Sequence, residues 1–231
     1  GALMAISKFV LKTINGISRP AIAGIMPTLK GEIVILDLGA NIDCTDDNLV
    51  QFALMGEVFS KSLLGTKTPS IGILNVGSEE IKGNAVVKQT FEELDKLSSH
   101  INFHGFIEGN DINKGIVDVV VTDGFSGNIA LKTAEGVAEL IVHFLQCYFK
   151  SSLLAKLGYI LSKPALNRFK ARIDPRKYNG AVLLGLNGIV VKSHGGADSF
   201  GFSNAISAAI SLIENNYNSE IKKKLDFLSN T

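Results

Sequence analysis

Two cysteines in 231 residues leave little room for cystine chemistry. Cys44 and Cys147 lie far apart and form no Cys-x-x-Cys pair, so neither a disulfide framework nor a zinc site is indicated, and a reducing cytoplasm is the expected compartment. Surplus charge is also missing. A net charge of +1 argues against a dedicated nucleic-acid binder. No apolar run reaches the roughly 18 to 20 residues that span a bilayer, and Gly1-Ala2-Leu3-Met4 lacks the charged start and small-residue cleavage site of a signal peptide. The expectation is a soluble chain that touches membranes only at their surface. No Met opens the chain, and Ala2 to Lys12 reads at once as helix, so a preceding segment is expected.

Familiar site motifs are missing too. There is no Gly-x-Gly-x-x-Gly after a strand and no Gly-x-x-x-x-Gly-Lys-Ser/Thr, so neither dinucleotide nor P-loop nucleotide binding is signalled. A Gly-x-Ser-x-Gly elbow is absent, and neither cysteine has an obvious paired base, so spacing supports no covalent mechanism. His100 and His104 bracket a strand, where four residues separate side chains by about 13 Å, too far to share a metal. No cofactor and no metal are expected.

What the chain does have is a recurring strand, glycine-bearing loop and helix start. The apolar run Ile116 to Val121 breaks into Thr122-Asp123-Gly124-Phe125-Ser126-Gly127-Asn128 and resumes with helical periodicity to about Phe149. Similar loops follow at Asp37-Leu38-Gly39-Ala40-Asn41, at Asn75-Val76-Gly77-Ser78 through Gly83-Asn84, and at Ser193-His194-Gly195-Gly196-Ala197-Asp198. Such turns direct backbone N–H groups at an anion, and several converging on one sheet edge would make a phosphate site.

Around these loops the pattern alternates. Strands are expected at Glu32 to Leu38, Ser70 to Val76, Ile101 to Gly105, Ala181 to Leu184 and Gly188 to Lys192, while Pro20 to Thr28 reads as a loop or turn. Thr45-Asp46-Asp47 caps a helix to about Leu64; further helices span Ala85 to Leu97 and about Ser199 to Asn215. The tail, Asn215 to Thr231, reads as a frayed surface helix. One α/β domain over residues 1–231 follows, an open, mainly parallel sheet with helices on both faces, ligands lying beyond the strands' carboxyl ends.

Several residues are candidates on chemistry. Lys82 offers a point charge to a phosphate or oxyanion, or is a solvated loop lysine. Asn128, at the helix mouth, donates to a substrate or caps the helix. Asn41 and Asn84 repeat that choice at their own strand ends. His194 assists proton transfer, donates to phosphate, or closes a local turn. Asp123 and Asp198 would repel an anion and are expected to anchor backbone or lysine groups. From Lys150 to Arg172, six cations and no acid interleave with Leu153, Leu154, Leu157, Ile160, Leu161 and Leu166. This basic helical protrusion, about 150–173, suits an anionic membrane surface or an acidic carrier protein, or else buries its apolar face in a hairpin.

Four runs carry a specific resemblance: Asp37 to Cys44, Leu49 to Gly56, Asp118 to Asn128, and Tyr178-Asn179-Gly180-Ala181 through Lys192-Ser193-His194-Gly195. They resemble the bacterial phosphate acyltransferases of phospholipid synthesis, the PlsX family, over essentially the whole chain. The resemblance implies transfer of a fatty acyl group from acyl carrier protein to inorganic phosphate, a homodimer, and a fold related to phosphotransacetylases and isocitrate-dehydrogenase-like proteins. It brings Lys82 and Asn128 forward as catalytic, Asn41, Asn84, Gly124, Gly127 and His194 as substrate-binding, and Leu153, Lys156, Leu157 and Ile160 as peripheral contacts at the inner face of the plasma membrane. Family members carry a further upstream part with a Gly-Gly-Asp motif and a Ser-Ala-Gly-Asn-Thr-Gly loop, whose last glycine aligns with Gly1. Two other readings stay open: a truncated homologue that binds carrier or membrane without turnover, and a dehydrogenase of related fold, which the missing dinucleotide fingerprint disfavours.

Overall fold

The computed structural model describes residues 2–229, so Gly1 and residues 230–231, on which the start of the resemblance and the end of the tail fall, lie outside the described residues. The described residues form two compact units, 2–128 with 176–229, and 129–175.

The larger unit holds a seven-stranded sheet. Its strands are β1 (Ala21–Pro27), β2 (Glu32–Leu36), β3 (Ser70–Leu74), β4 (Asn102–Ile107), β5 (Val119–Val121), β6 (Ala181–Leu184) and β7 (Val191–Lys192), in the spatial order β4-β3-β5-β2-β1-β6-β7. From β4 to β2 every pairing is parallel; from β2 to β7 every pairing is antiparallel. The parallel half follows from helical crossovers, α2 (Asp46–Leu64), α3 (Ala85–Lys96) and the short α4 (Gly109–Lys114). The antiparallel half follows from β1, which turns directly into β2 through residues 28–31.

That strand corrects the loop expected at Pro20 to Thr28. Prolines at both ends and Gly24 in the middle signal a turn, yet Ala21, Ala23 and Met26 are buried and the segment pairs on both sides. At Gly24 a Cβ would lie 2.7 Å from the end of the Leu38 side chain, so the strand packs closely there, and Pro27 closes the strand where pairing ends.

Helix α2 runs across β2, β3 and β5. Thr45 caps it as expected: the Asn48 N–H donates to Thr45 Oγ1 at 3.3 Å, and the Thr45 N–H donates to Asn48 Oδ1 at 3.2 Å. Phe52, Met55 and Phe59 are fully buried, each worth about 1.5–3 kcal/mol relative to exposure. At Gly56 a Cβ would sit 2.6 Å from Val119, so the helix rests directly on the sheet. Behind it pack α7 (Ser199–Glu214) and α8 (Tyr217–Ser229). The tail is therefore helical but not loose: Tyr217 and Ile221, four apart on one face, are buried against the α2 side of the core. Lysines and acids mask that stripe in a composition-based reading.

In the smaller unit lie most of α5 (Gly124–Lys150) and all of α6 (Leu153–Arg172). Ser152 caps α6 by accepting from the Ala155 N–H at 3.1 Å. No residue of α6 is buried. Among the described residues no helix is long and apolar enough to cross a membrane.

Candidate functional site at the carboxyl edge of the parallel strands

Strands β3, β5 and β2 are neighbours and run parallel, so the loops that follow them leave the sheet at one edge. The loop after β2 is organised by Asp37, which is fully buried. Its Oδ1 accepts from the N–H groups of Ile22 at 2.9 Å, Gly39 at 3.2 Å and Ala40 at 3.0 Å. Its Oδ2 accepts from the Asn41 N–H at 2.6 Å and from Asn41 Nδ2 at 2.9 Å. Burial pushes the Asp37 carboxyl above the usual carboxylate range, and these donors oppose the shift. Amides expected to face a ligand anion thus already hold the protein's own carboxylate.

Asn41 is committed in the same way. Its second Nδ2 hydrogen bond goes to the Pro20 carbonyl at 2.8 Å, leaving no amide proton for a substrate. The side chain fixes the loop rather than reaching outward. Beneath it, Cys44 is half-buried, and burial, reinforced by the Asp37 charge, pushes its thiol up to about 11.

After β5 the helix begins earlier than expected, at Gly124 instead of Ile129, because Asp123 supplies the cap. Its carboxylate accepts from the Ser126 N–H at 2.7 Å and from Ser126 Oγ at 3.0 Å, and its carbonyl accepts from the Gly127 N–H at 2.9 Å. The Gly124 N–H donates to the Asn41 carbonyl at 2.7 Å. Three of the first four N–H groups of α5 are therefore satisfied inside the protein. Gly124 and Gly127 permit this closeness. A Cβ on Gly124 would stand 2.6 Å from the Asn41 carbonyl oxygen, and one on Gly127 would overlap the carbonyl oxygen of Asp37. Asn128 lies one turn into the helix, so it is not the cap. It is exposed beside Gly39, with no hydrogen bond to its carboxamide among the described residues.

The loop after β3 is built on Asn75, whose Oδ1 accepts from the Val76 N–H at 2.9 Å while Nδ2 donates to the Lys82 carbonyl at 3.1 Å. Lys82 crosses over Gly77 and pairs with Glu79 at 2.8 Å, both exposed. The Glu79 carboxylate raises the lysine, which stays charged. Asn84 caps α3, accepting from the Val87 N–H at 2.9 Å, so its oxygen is used, while its NH2 has no hydrogen bond among the described residues.

His194 is not brought to this edge. Strand β7 runs antiparallel to β6, β6 to β1, and β1 to β2, so the loop after β7 leaves toward the opposite edge of the sheet. There Asn179 holds it: the His194 N–H donates to Asn179 Oδ1 at 2.8 Å, and Asn179 Nδ2 donates to Ser193 Oγ and the Gly201 carbonyl, each at 2.8 Å. His194 Nδ1 accepts from the Gly196 N–H at 3.1 Å, closing a local turn. Asp198 caps α7 through the Gly201 N–H at 2.9 Å and pairs with Arg176 at 2.8 Å.

Asp37 and Asn75, the organisers of their loops, carry only a weak signal in the sequence. Their signal is an Asx residue followed by small residues whose amides it can collect.

The chain matches the fatty acid synthesis protein family over residues 1–220. It is 60% identical over 228 residues to the phosphate acyltransferase of Paramagnetospirillum magneticum, covering 99% of this chain and 65% of that protein. The phosphate acyltransferase of Rhodospirillum centenum is 59% identical over 225 residues, covering 97% and 63%. The chain thus spans somewhat less than two thirds of these relatives' length. A phosphotransacetylase from Streptococcus pyogenes shares the fold, with a TM-score of 0.57 at 20% identity, over 90% of this chain and 58% of that one.

Proposed function

Because the chain belongs to the fatty acid synthesis protein family, we propose that it transfers a fatty acyl group from acyl carrier protein to inorganic phosphate. The products are the free carrier thiol and an acyl phosphate for phospholipid synthesis. The observation that carries this reading is identity of 60% to a phosphate acyltransferase across nearly the whole chain. In this reaction a phosphate oxygen attacks the thioester carbonyl, a C–O bond forms, the C–S bond breaks, and the leaving thiolate takes up a proton. The attacking group comes with the substrate, so the protein needs no nucleophile of its own. It must align a dianion and stabilise the oxyanion of the tetrahedral intermediate.

Asn128 and Lys82 are the groups assigned to that work. The Asn128 carboxamide has no competing hydrogen bond among the described residues and stands on a helix end pinned by Asp123 and Asn41. Its NH2 donates to the developing oxyanion. Lys82 supplies mobile positive charge, exchanging Glu79 for phosphate. Asn84, two residues on in the same loop, offers an NH2 that is unpaired among the described residues. Gly124 and Gly127 serve by letting the helix end close on the loop after β2, and Asn41 by holding that loop. His194, on the other edge, closes a local turn there and is given no part in holding phosphate. Leu153, Lys156, Leu157 and Ile160, all on α6, are assigned to a membrane surface, with a cytoplasmic homodimer as the acting form.

The test is phosphate-dependent release of carrier thiol from long-chain acyl carrier protein. Asn128→Ala and Lys82→Ala are each expected to lower kcat/KM by about a hundredfold, the scale of a lost oxyanion donor. Activity within about twofold of the unmodified chain in both variants would remove the assignment.

A further inference from the structure

A groove of about 290 Å³ opens between α1 (Ala2–Leu11) and the loop after β2. Met4 and Pro20 form apolar walls, and Ala40 and the buried Asn41 also line it. Its charged groups are Lys8 and Arg19; no lining residue is acidic. Both cations are exposed. Arg19 makes one long hydrogen bond, 3.3 Å to the Asp43 carbonyl, and among the described residues neither cation takes part in an ion pair.

Asp37 collects the amides of Gly39, Ala40 and Asn41 in the loop after β2, so positive potential in this groove comes from side chains. The Asp37 carboxylate lies behind the groove, held by the lining residues Ala40 and Asn41, so the charged side chains that line the groove itself are both cations, and a bound dianion is attracted by each. The guanidinium offers a planar fork matched to phosphate oxygens, and the ammonium a point charge. Asn41 connects the groove to the candidate site, since its carbonyl accepts the Gly124 N–H at the start of the helix that carries Asn128.

From these observations we infer that Arg19, assisted by Lys8, binds a phosphate group in the groove between α1 and the loop after β2. The inference deepens the acyltransferase reading and rests on it for the identity of that group, which belongs either to inorganic phosphate or to the phosphopantetheine arm of the acyl donor. Arg19 and Lys8 lie eleven residues apart on unrelated segments, so no motif announces them.

The test is a titration of the whole chain with inorganic phosphate, and separately with 4′-phosphopantetheine, following backbone and arginine side-chain resonances by NMR. Saturable shifts are expected at Arg19, Ala40 and Asn41 with at least one probe, and the probe that saturates identifies the source. Arg19→Ala is expected to weaken that binding by about tenfold or more, with Arg19→Lys intermediate and Lys8→Gln smaller. Both positions are exposed, so an unchanged melting temperature accompanies the variants. Shifts confined elsewhere, no saturation with either probe, or unchanged affinity in both Arg19→Ala and Lys8→Gln would overturn the inference. Binding is read without turnover, so failed acyl transfer with intact groove binding overturns only the reaction assigned above.

Discussion

Five hydrogen bonds, from the N–H groups of Ile22, Gly39, Ala40 and Asn41 and from the Asn41 side chain, converge on the Asp37 carboxylate. A strand followed by Leu-Gly-Ala-Asn is legible as a turn whose amides collect an anion. What the letters do not tell is that the anion is Asp37 itself, because that depends on a side chain folding back over its own loop. The same holds at Asp123, where the expected anchoring role is what the structure contains. Asn41 was legible as a polar group at the right edge, but its two amide protons go to Asp37 and Pro20. Cys44 supplies a residue-scale prediction. With its thiol held at about 11, it is neutral at pH 8, since a group raised above its ordinary value stays protonated to higher pH. Iodoacetamide at pH 8 is expected to spare Cys44 in the folded chain and label it once the chain is unfolded in urea. Peptide mass spectrometry reads the difference, and equal labelling in both states would contradict it.

At the scale of elements, the amino end of α5 decides the geometry of the site. Gly127 is the position where it comes closest to the loop after β2, against the carbonyl of Asp37. Gly127→Ala must push the helix end away from that loop, an overpacking cost of about 1–3 kcal/mol that outweighs any gain in helix propensity. A lowered melting temperature with reduced phosphate-dependent turnover is expected, and a variant as stable as the unmodified chain would show that the approach is not close. Helix α6 carries the basic, leucine-studded segment read from the sequence; none of its residues is buried, Leu157 being 54% exposed and Leu153 84%, so the alternative of a hairpin with a buried apolar face is not what the structure contains. Leu157→Glu is expected to release the chain from anionic liposomes in a sedimentation assay with its melting temperature nearly unchanged; retained binding would remove the membrane assignment. Strand β1 was not legible, because Pro20, Gly24 and Pro27 signal a turn while the pairing that makes a strand comes from β2 and β6, which are distant in reading. Helix α8 was half legible: its helicity shows, but burial of Tyr217 and Ile221 depends on α2.

Over the whole molecule, alternation of strand and helix located the parallel half of the sheet and the edge where the loops after β2, β3 and β5 gather. It did not fix strand direction beyond β1. Once the β1–β2 turn reverses the chain, β7 points away from that edge, which is why His194, adjacent to the candidate residues in motif logic, stands apart from them in space. The remaining site residues are legible as residue types on the right loops, while their freedom or commitment is a property of packing. The unmodified chain offers the most direct test: incubation with long-chain acyl carrier protein, with and without inorganic phosphate, measuring free carrier thiol and acyl phosphate trapped as the hydroxamate. Equal amounts of both, formed only when phosphate is present, are the predicted result. No release while the carrier protein remains bound, or release that ignores phosphate, would contradict acyl transfer to phosphate by this chain.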